Sequence, residues 1–243
     1  MSKKVSDPRD IFSEITDDYR EIFGDALRGV ILYGSAAGGD YRPGGSDINF
    51  MIILDKEEIE NLDKAFSAIK KWGRRKVATP LFLTEEYISA SLDVFPIEYL
   101  NFKREYVPVF GRDVLKDIRF DKELVRLQCE REIKGKLLLL REAFLESSGK
   151  GRILKEVIGR SIGAFSAIFE ALLYIMDKEV AGGKRDKIKA TCESFELDSN
   201  VFEMLLEVKQ GAAKMRDQEI RDLYKRYLKE IAVLSRAVDT MGG

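Results

Sequence analysis

Residues 29–33 and 48–54 are apolar runs of strand length, and the stretch between them reads Gly34-Ser35-Ala36-Ala37-Gly38-Gly39-Asp40-Tyr41-Arg42-Pro43-Gly44-Gly45-Ser46-Asp47. Glycine and proline at this density exclude a continuous helix. In a helix interior glycine costs about 1 kcal/mol relative to alanine, and proline about 3 kcal/mol. The segment is therefore strand, tight turn, loop, strand, and an N-terminal sheet has to form around it. The first strand ends on Gly34-Ser35, and the second opens on Ser46-Asp47-Ile48-Asn49. Side chains alternate along a strand, so Asp47 and Asn49 share one face while Ile48 and Phe50 share the other. Residues 51–54 are apolar on both faces, which predicts a central strand.

The elements on either side follow from their own patterns. Asp7 as N-cap and Pro8 at the first helical position start a helix, and Ile11, Ile15, Tyr19, Ile22 and Phe23 recur on its inner face. Residues 56–72 predict a helix with Ile59, Leu62, Phe66 and Ile69 inward. Residues 81–83 predict a third strand, and 84–91 a short helix capped by Thr84. Residues 95–102 read as a fourth strand and 106–110 as a short fifth. Beyond about residue 116 only helical periodicity remains. Helices are expected over 122–145 (Leu124, Leu127, Leu137, Leu140 and Phe144 inward), 153–177, 184–195, 199–210 and 217–238. Tyr224 and Tyr227 lie in the apolar stripe of the last one. The expected fold is α+β, with a mixed sheet flanked by helices over 1–115 and an all-α bundle over 116–243.

Composition narrows the function classes. There is no histidine, so the commonest general base and zinc ligand are missing. Catalysis would rest on carboxylates, Lys, Tyr, Ser or an oxygen-bound metal. A net charge of −1 speaks against nucleic acid as a partner. Cys129 and Cys192 match no metal or redox spacing, which suits a reducing compartment. The first residues lack the apolar core of a signal peptide. The run 162–176 contains Glu170 and is shorter than the roughly 20 residues a membrane helix needs. The expectation is a cytoplasmic protein without membrane contact.

Gly-Ser after a strand, eleven residues, then Asp-x-Asn opening an apolar strand resembles the nucleotidyltransferase superfamily that includes DNA polymerase beta. Its minimal and kanamycin-type members are the nearer likeness, and the kanamycin type also carries a helical C-terminal half. The family pattern is Gly-Ser, a spacer, Asp-x-Asp/Glu, then a third carboxylate on a later strand. The resemblance implies that Gly34 and Ser35, with Arg42 and Ser46 from the loop, bind the phosphates of a nucleoside triphosphate, foremost ATP. It implies Mg2+ or Mn2+ held by Asp47, Asn49 and Glu98. Asp47 takes the place of the first metal carboxylate, and Asn49 stands where the second is expected. Glu98 matches the third, which helps activate the attacking hydroxyl, with Asp93 as the second choice.

The chemistry calls for these residue types, since magnesium prefers hard oxygen ligands and is usually shared between a few carboxylates and the substrate phosphates. The expected activity is nucleotidyl transfer to a hydroxyl or phosphate acceptor that the sequence does not identify. The alternative is a catalytically degenerate relative serving as a nucleotide-binding or protein-interaction scaffold, antitoxin-like, that meets a second copy or another protein through its helical half. Asn49 is the feature that favours the alternative.

Overall fold

The structure, a computed structural model, describes residues 5–39 and 41–241. The first helix starts as its sequence dictates. The Asp7 carboxylate accepts from the Arg9 N–H at 2.9 Å, and Pro8 opens a 3-10 turn, Pro8–Ile11, that leads into α1, Phe12–Phe23. Ile11, Ile15, Tyr19 and Phe23 recur every fourth residue and all are buried.

That face packs on a mixed four-stranded sheet. β1 (Leu27–Tyr33) pairs antiparallel with both β2 (Asn49–Leu54) and β4 (Tyr106–Gly111), while β3 (Leu81–Leu83) runs parallel to β2, in the order β3-β2-β1-β4. Val30, Leu32, Ile48, Phe50, Ile52 and Leu54 form one core with α1 and Trp72. The alternate residues Ile31, Met51 and Ile53 are buried as well. Both inner strands are thus covered on both faces, which is why their sequences do not alternate with polar residues.

Two expectations for this half are corrected. Residues 56–72 are not one helix: 3-10 turns over Glu58–Glu60 and Leu62–Ala65 precede α3, Phe66–Gly73. The Asp55 carboxylate accepts from the Glu58 N–H at 3.1 Å, and Asn61 sits outside helical space at φ −109°, ψ 35°. Short polar side chains of this kind divert the backbone from a helix. The buried stripe accordingly shifts phase to Ala65, Ala68 and Trp72, leaving Phe66 72% exposed. The Trp72 indole N–H donates to Asp18 of α1 at 2.9 Å, where Lys71 also pairs at 2.7 Å. The second correction is the supposed strand 95–102. After α4 (Glu85–Ser91, with the Thr84 hydroxyl accepting from Tyr87 N–H at 3.0 Å) the chain forms α5, Pro96–Arg104. Pro96 occupies the first helical position, where a missing N–H costs nothing. Ile97 and Leu100, three apart, are both buried, a helical rather than an extended spacing.

The chain divides into two compact units, Met1–Asp93 with Glu98–Arg119, and Val94–Ile97 with Phe120–Gly243. The second unit is helical: α6 (Lys122–Glu146), α7 (Gly151–Ile175), α8 (Lys184–Ser194), α9 (Ser199–Lys209) and α10 (Asp217–Thr240). α7 packs against the other four, and Leu154, Ile158, Ile162, Phe165 and Phe169 are buried on it. By length and composition it is the one helix among the described residues apolar enough to cross a membrane, and half of its most apolar window is buried inside the protein. α6 turns Val125, Cys129, Ile133, Leu137 and Leu140 inward, while Leu127, expected inside, is 46% exposed. α10 buries Ile220, Leu223, Tyr224, Tyr227, Ile231 and Leu234.

Two buried tyrosines make a controlled pair. The Tyr19 hydroxyl has no hydrogen-bond partner among the described residues, whereas the Tyr224 hydroxyl donates to the Leu140 carbonyl at 2.8 Å. A buried polar atom without a partner keeps its full desolvation cost, and a satisfied one contributes about 1 kcal/mol net. In urea unfolding, Tyr19→Phe is therefore neutral or stabilising, and Tyr224→Phe loses about 1–2 kcal/mol. Equal losses in the two variants would refute the contrast.

Candidate functional site

The site is built where β1 ends. Gly34 has φ 74° and ψ −154°, a region that residues with a Cβ essentially do not occupy. Its N–H donates to the Glu105 carbonyl at 3.0 Å. That bond extends the β1–β4 ladder one step beyond its last pair, Tyr33 with Tyr106. The chain then makes a single helical turn, α2, Ser35–Gly38, in which the N–H groups of Ala37 and Gly38 return to the Gly34 carbonyl at 2.8 and 3.1 Å. The amides at the start of such a turn have no acceptor within it and point outward.

The loop that follows is held by its own bonds. The Tyr41 hydroxyl donates to the Val5 carbonyl at 2.9 Å. The N–H groups of Gly45 and Ser46 both donate to the Arg42 carbonyl at 2.9 Å, and the Arg42 N–H donates to the Ser46 hydroxyl oxygen at 3.2 Å. Ser46 thus shapes the loop, and the Arg42 side chain is exposed.

Ile48 then fixes the neighbouring segment in extended form. Its N–H donates to the Lys76 carbonyl and its carbonyl accepts from Ala78 N–H, both at 2.9 Å. Asn49 lies opposite Tyr33 in the β1–β2 ladder, and its Nδ2 is 3.7 Å from where a Cβ on Gly34 would stand. Asp47 is exposed just before the strand. The structure therefore sets Asn49 beside Gly34, with Ser35 the next residue after Gly34 and Asp47 two residues before Asn49.

It does not assemble the third carboxylate as expected. Glu98 is exposed on the first turn of α5, and Asp93 is exposed ahead of it. The later strands, Leu81-Phe82-Leu83 and Tyr106-Val107-Pro108-Val109-Phe110-Gly111, carry no carboxylate. Among the described residues no group of three Asp, Glu, His or Cys stands ready to hold a metal. The donor set consists of one carboxylate and one amide oxygen. That is too little for an all-protein cage, but it fits a cation that arrives already sharing ligands with a triphosphate and water.

A residue absent from the sequence-level site also meets the turn. Besides accepting from Gly34, Glu105 lays its carboxylate across Gly38, where a Cβ would run into it. Its signal in the sequence is positional: it directly precedes the short strand that pairs with β1. Burial raises the pKa of the Tyr33 phenol at the same end of the sheet, so the hydroxyl keeps its proton.

Residues 13–119 match the model of the nucleotidyltransferase domain family. Among solved structures, the chain is similar to spectinomycin adenyltransferase AAD(9) from Enterococcus faecialis, crystallised with ATP and spectinomycin. The identity is 14%, the TM-score 0.49, and the alignment covers 89% of this chain and 99% of that one. No curated protein matches the sequence.

The geometry of the turn sets its tolerance to substitution. Gly34→Ala costs about 1–3 kcal/mol, because the backbone conformation itself excludes a Cβ. Gly38→Ala costs less, because it displaces only the mobile end of the Glu105 side chain. Chemical denaturation of both variants checks this, and a larger loss at Gly38 than at Gly34 would refute it.

Proposed function

Because residues 13–119 match the model of the nucleotidyltransferase domain family, we propose that the protein binds a nucleoside triphosphate, foremost ATP, together with one Mg2+ or Mn2+, and transfers the nucleotidyl group to a hydroxyl or phosphate acceptor. The match to the domain model supports nucleotidyl transfer in general. The metal, the nucleotide and the residue roles are our reading. The observation that carries it is the placement of Asn49 beside the Gly34 turn, with Asp47 two residues ahead, just before β2.

In this reading the leading amides of α2 receive phosphate oxygens, and Gly34 permits the close approach. Asp47 supplies the one anionic oxygen and Asn49 a neutral amide oxygen to the cation. A cation held there by Asp47 and Asn49 would supply charge neutralisation at the phosphates and polarise the phosphorus. Arg42, exposed on its loop, offers a guanidinium to a phosphate oxygen. Ser46 still has its hydroxyl proton to donate, since the Arg42 N–H occupies only a lone pair. The acceptor oxygen forms its bond to the α-phosphorus as the bond to the departing pyrophosphate breaks. Glu98 is the carboxylate proposed to take the acceptor's proton, from α5 rather than from a strand. Cys129 and Cys192, both free and buried, suit the cytoplasmic setting proposed here.

A second reading has its own support. Asn49 is uncharged, and neither β3 nor β4 carries a carboxylate. On that basis the protein retains nucleotide but does not turn it over, and serves as a scaffold that meets a partner or a second copy through its helical unit.

Calorimetry with ATP, GTP, CTP and UTP tests binding. Heat should appear only with Mg2+ or Mn2+ and vanish in Asp47→Ala; no heat with any nucleotide would overturn the proposal. Asn49→Asp adds a negative charge beside the cation and should raise metal affinity about tenfold or more. Pyrophosphate release separates the two readings. An enzyme loses it in Glu98→Gln while keeping its affinity, whereas a scaffold shows none in the wild type.

A further inference from the structure

The ladder pairings define a row at the mouth of the sheet of which the site described above uses only the Asn49 end. Tyr33, the last residue of β1, lies opposite Asn49 of β2 on one side and opposite Tyr106 of β4 on the other. Directly paired residues project from the same face, with their Cβ atoms about 5 Å apart. Asn49, Tyr33 and Tyr106 therefore stand side by side on one face, and Asp47, two residues before Asn49, shares it.

The two tyrosines differ in one respect. The Tyr106 hydroxyl is committed, donating to the Asp113 carboxylate at 3.1 Å. The Tyr33 hydroxyl makes no hydrogen bond to any described residue, yet its ring is fixed. Phe102 of α5 meets it edge-on at 4.9 Å, and Tyr99 holds Phe102 at 5.7 Å. A half-buried phenol whose ring packs on Phe102 and whose hydroxyl is unused keeps a donor to offer. It is joined by one peptide bond to Gly34 and stands next to Asn49.

A group held at both Gly34 and Asn49 would be bound at the two backbone neighbours of Tyr33, its chain successor and its ladder partner. In the reading proposed above that group is the polyphosphate, whose oxygens accept hydrogen bonds and donate none. We propose that the Tyr33 hydroxyl donates a hydrogen bond to the polyphosphate of the bound nucleotide, a further binding contact beside the Gly34 turn. The inference rests on the nucleotide reading and adds one residue to it. It also gives the site a donor without a charge, next to a cation ligand that is itself neutral.

The test is Tyr33→Phe, which deletes the hydroxyl and keeps the ring against Phe102, with Tyr106→Phe as comparator. Each is titrated calorimetrically with ATP and with inorganic tripolyphosphate, both in Mg2+. Hydrogen bonds to charged groups are the stronger ones, so Tyr33→Phe should weaken both ligands by about tenfold. Its melting temperature should hold, and Tyr106→Phe should leave both affinities unchanged. Loss with ATP alone would move the hydroxyl to the sugar or base and overturn the proposal, as would unchanged affinity for both. A wild-type protein that binds neither ligand would overturn the nucleotide reading itself, and this inference with it.

Discussion

The hydrogen bond from the Gly34 N–H to the Glu105 carbonyl is the constraint on which the N-terminal unit depends. It closes the β1–β4 ladder at the residue where β1 has to leave the sheet, and so fixes where the turn begins. Register decides which residues meet the site. A slip of one residue between β1 and β2 would exchange the faces, sending Asn49 into the core under α1 and Phe50 out of it. The slip is resisted because Val30, Leu32, Phe50 and Ile52, each essentially inaccessible, contribute about 1.5–3 kcal/mol apiece by burial. The apolar side chains hold the register, and the register places the polar ones.

This division explains what was legible in the sequence. Residues 29–33 and 48–54 could be read as strands because glycine and proline between them exclude the only competing structure. α10 could be read because its apolar positions run over many turns. Residues 95–102 are ambiguous in the sequence because a short apolar run has no decisive period. Phe95, Ile97 and Tyr99 suggest alternation, and only Pro96 at the first helical position and the buried Leu100 reveal the turn. Residues 56–72 failed for a local reason: a stripe over several turns presumes an unbroken helix, and Asp55 and Asn61 break it.

The candidate site divides the same way. Gly34, Ser35, Asp47 and Asn49 lie within one strand–loop–strand connection, so their proximity follows from local sequence. The third carboxylate depends on which later segment returns to β1. Spacing carries no information about that pairing, and Glu98 lies on α5 rather than on a strand. Glu105, which does return to the turn, was overlooked. Tyr33 was visible throughout as the residue before Gly34. Its environment became legible only with the β4 register, which shows that the neighbouring Tyr106 hydroxyl is already engaged and that of Tyr33 is not.

Asn49 acts in opposite directions on the two halves of the proposed function. A second carboxylate would hold the cation more firmly, but it would also place a negative charge beside the phosphates. An amide removes that repulsion and weakens the grip on the metal. In the proposed complex the polyphosphate would be met by the cation, by the amides of α2, by Arg42 and by the Tyr33 hydroxyl, of which only the cation would depend on position 49. Binding can therefore survive the substitution better than turnover, because the transition state needs the metal charge held firmly in place while the bound nucleotide does not. The uncharged partners around the turn are thus worth more to this site than they would be beside a pair of carboxylates. The balance between enzyme and scaffold comes down to how much of the phosphate charge those partners carry.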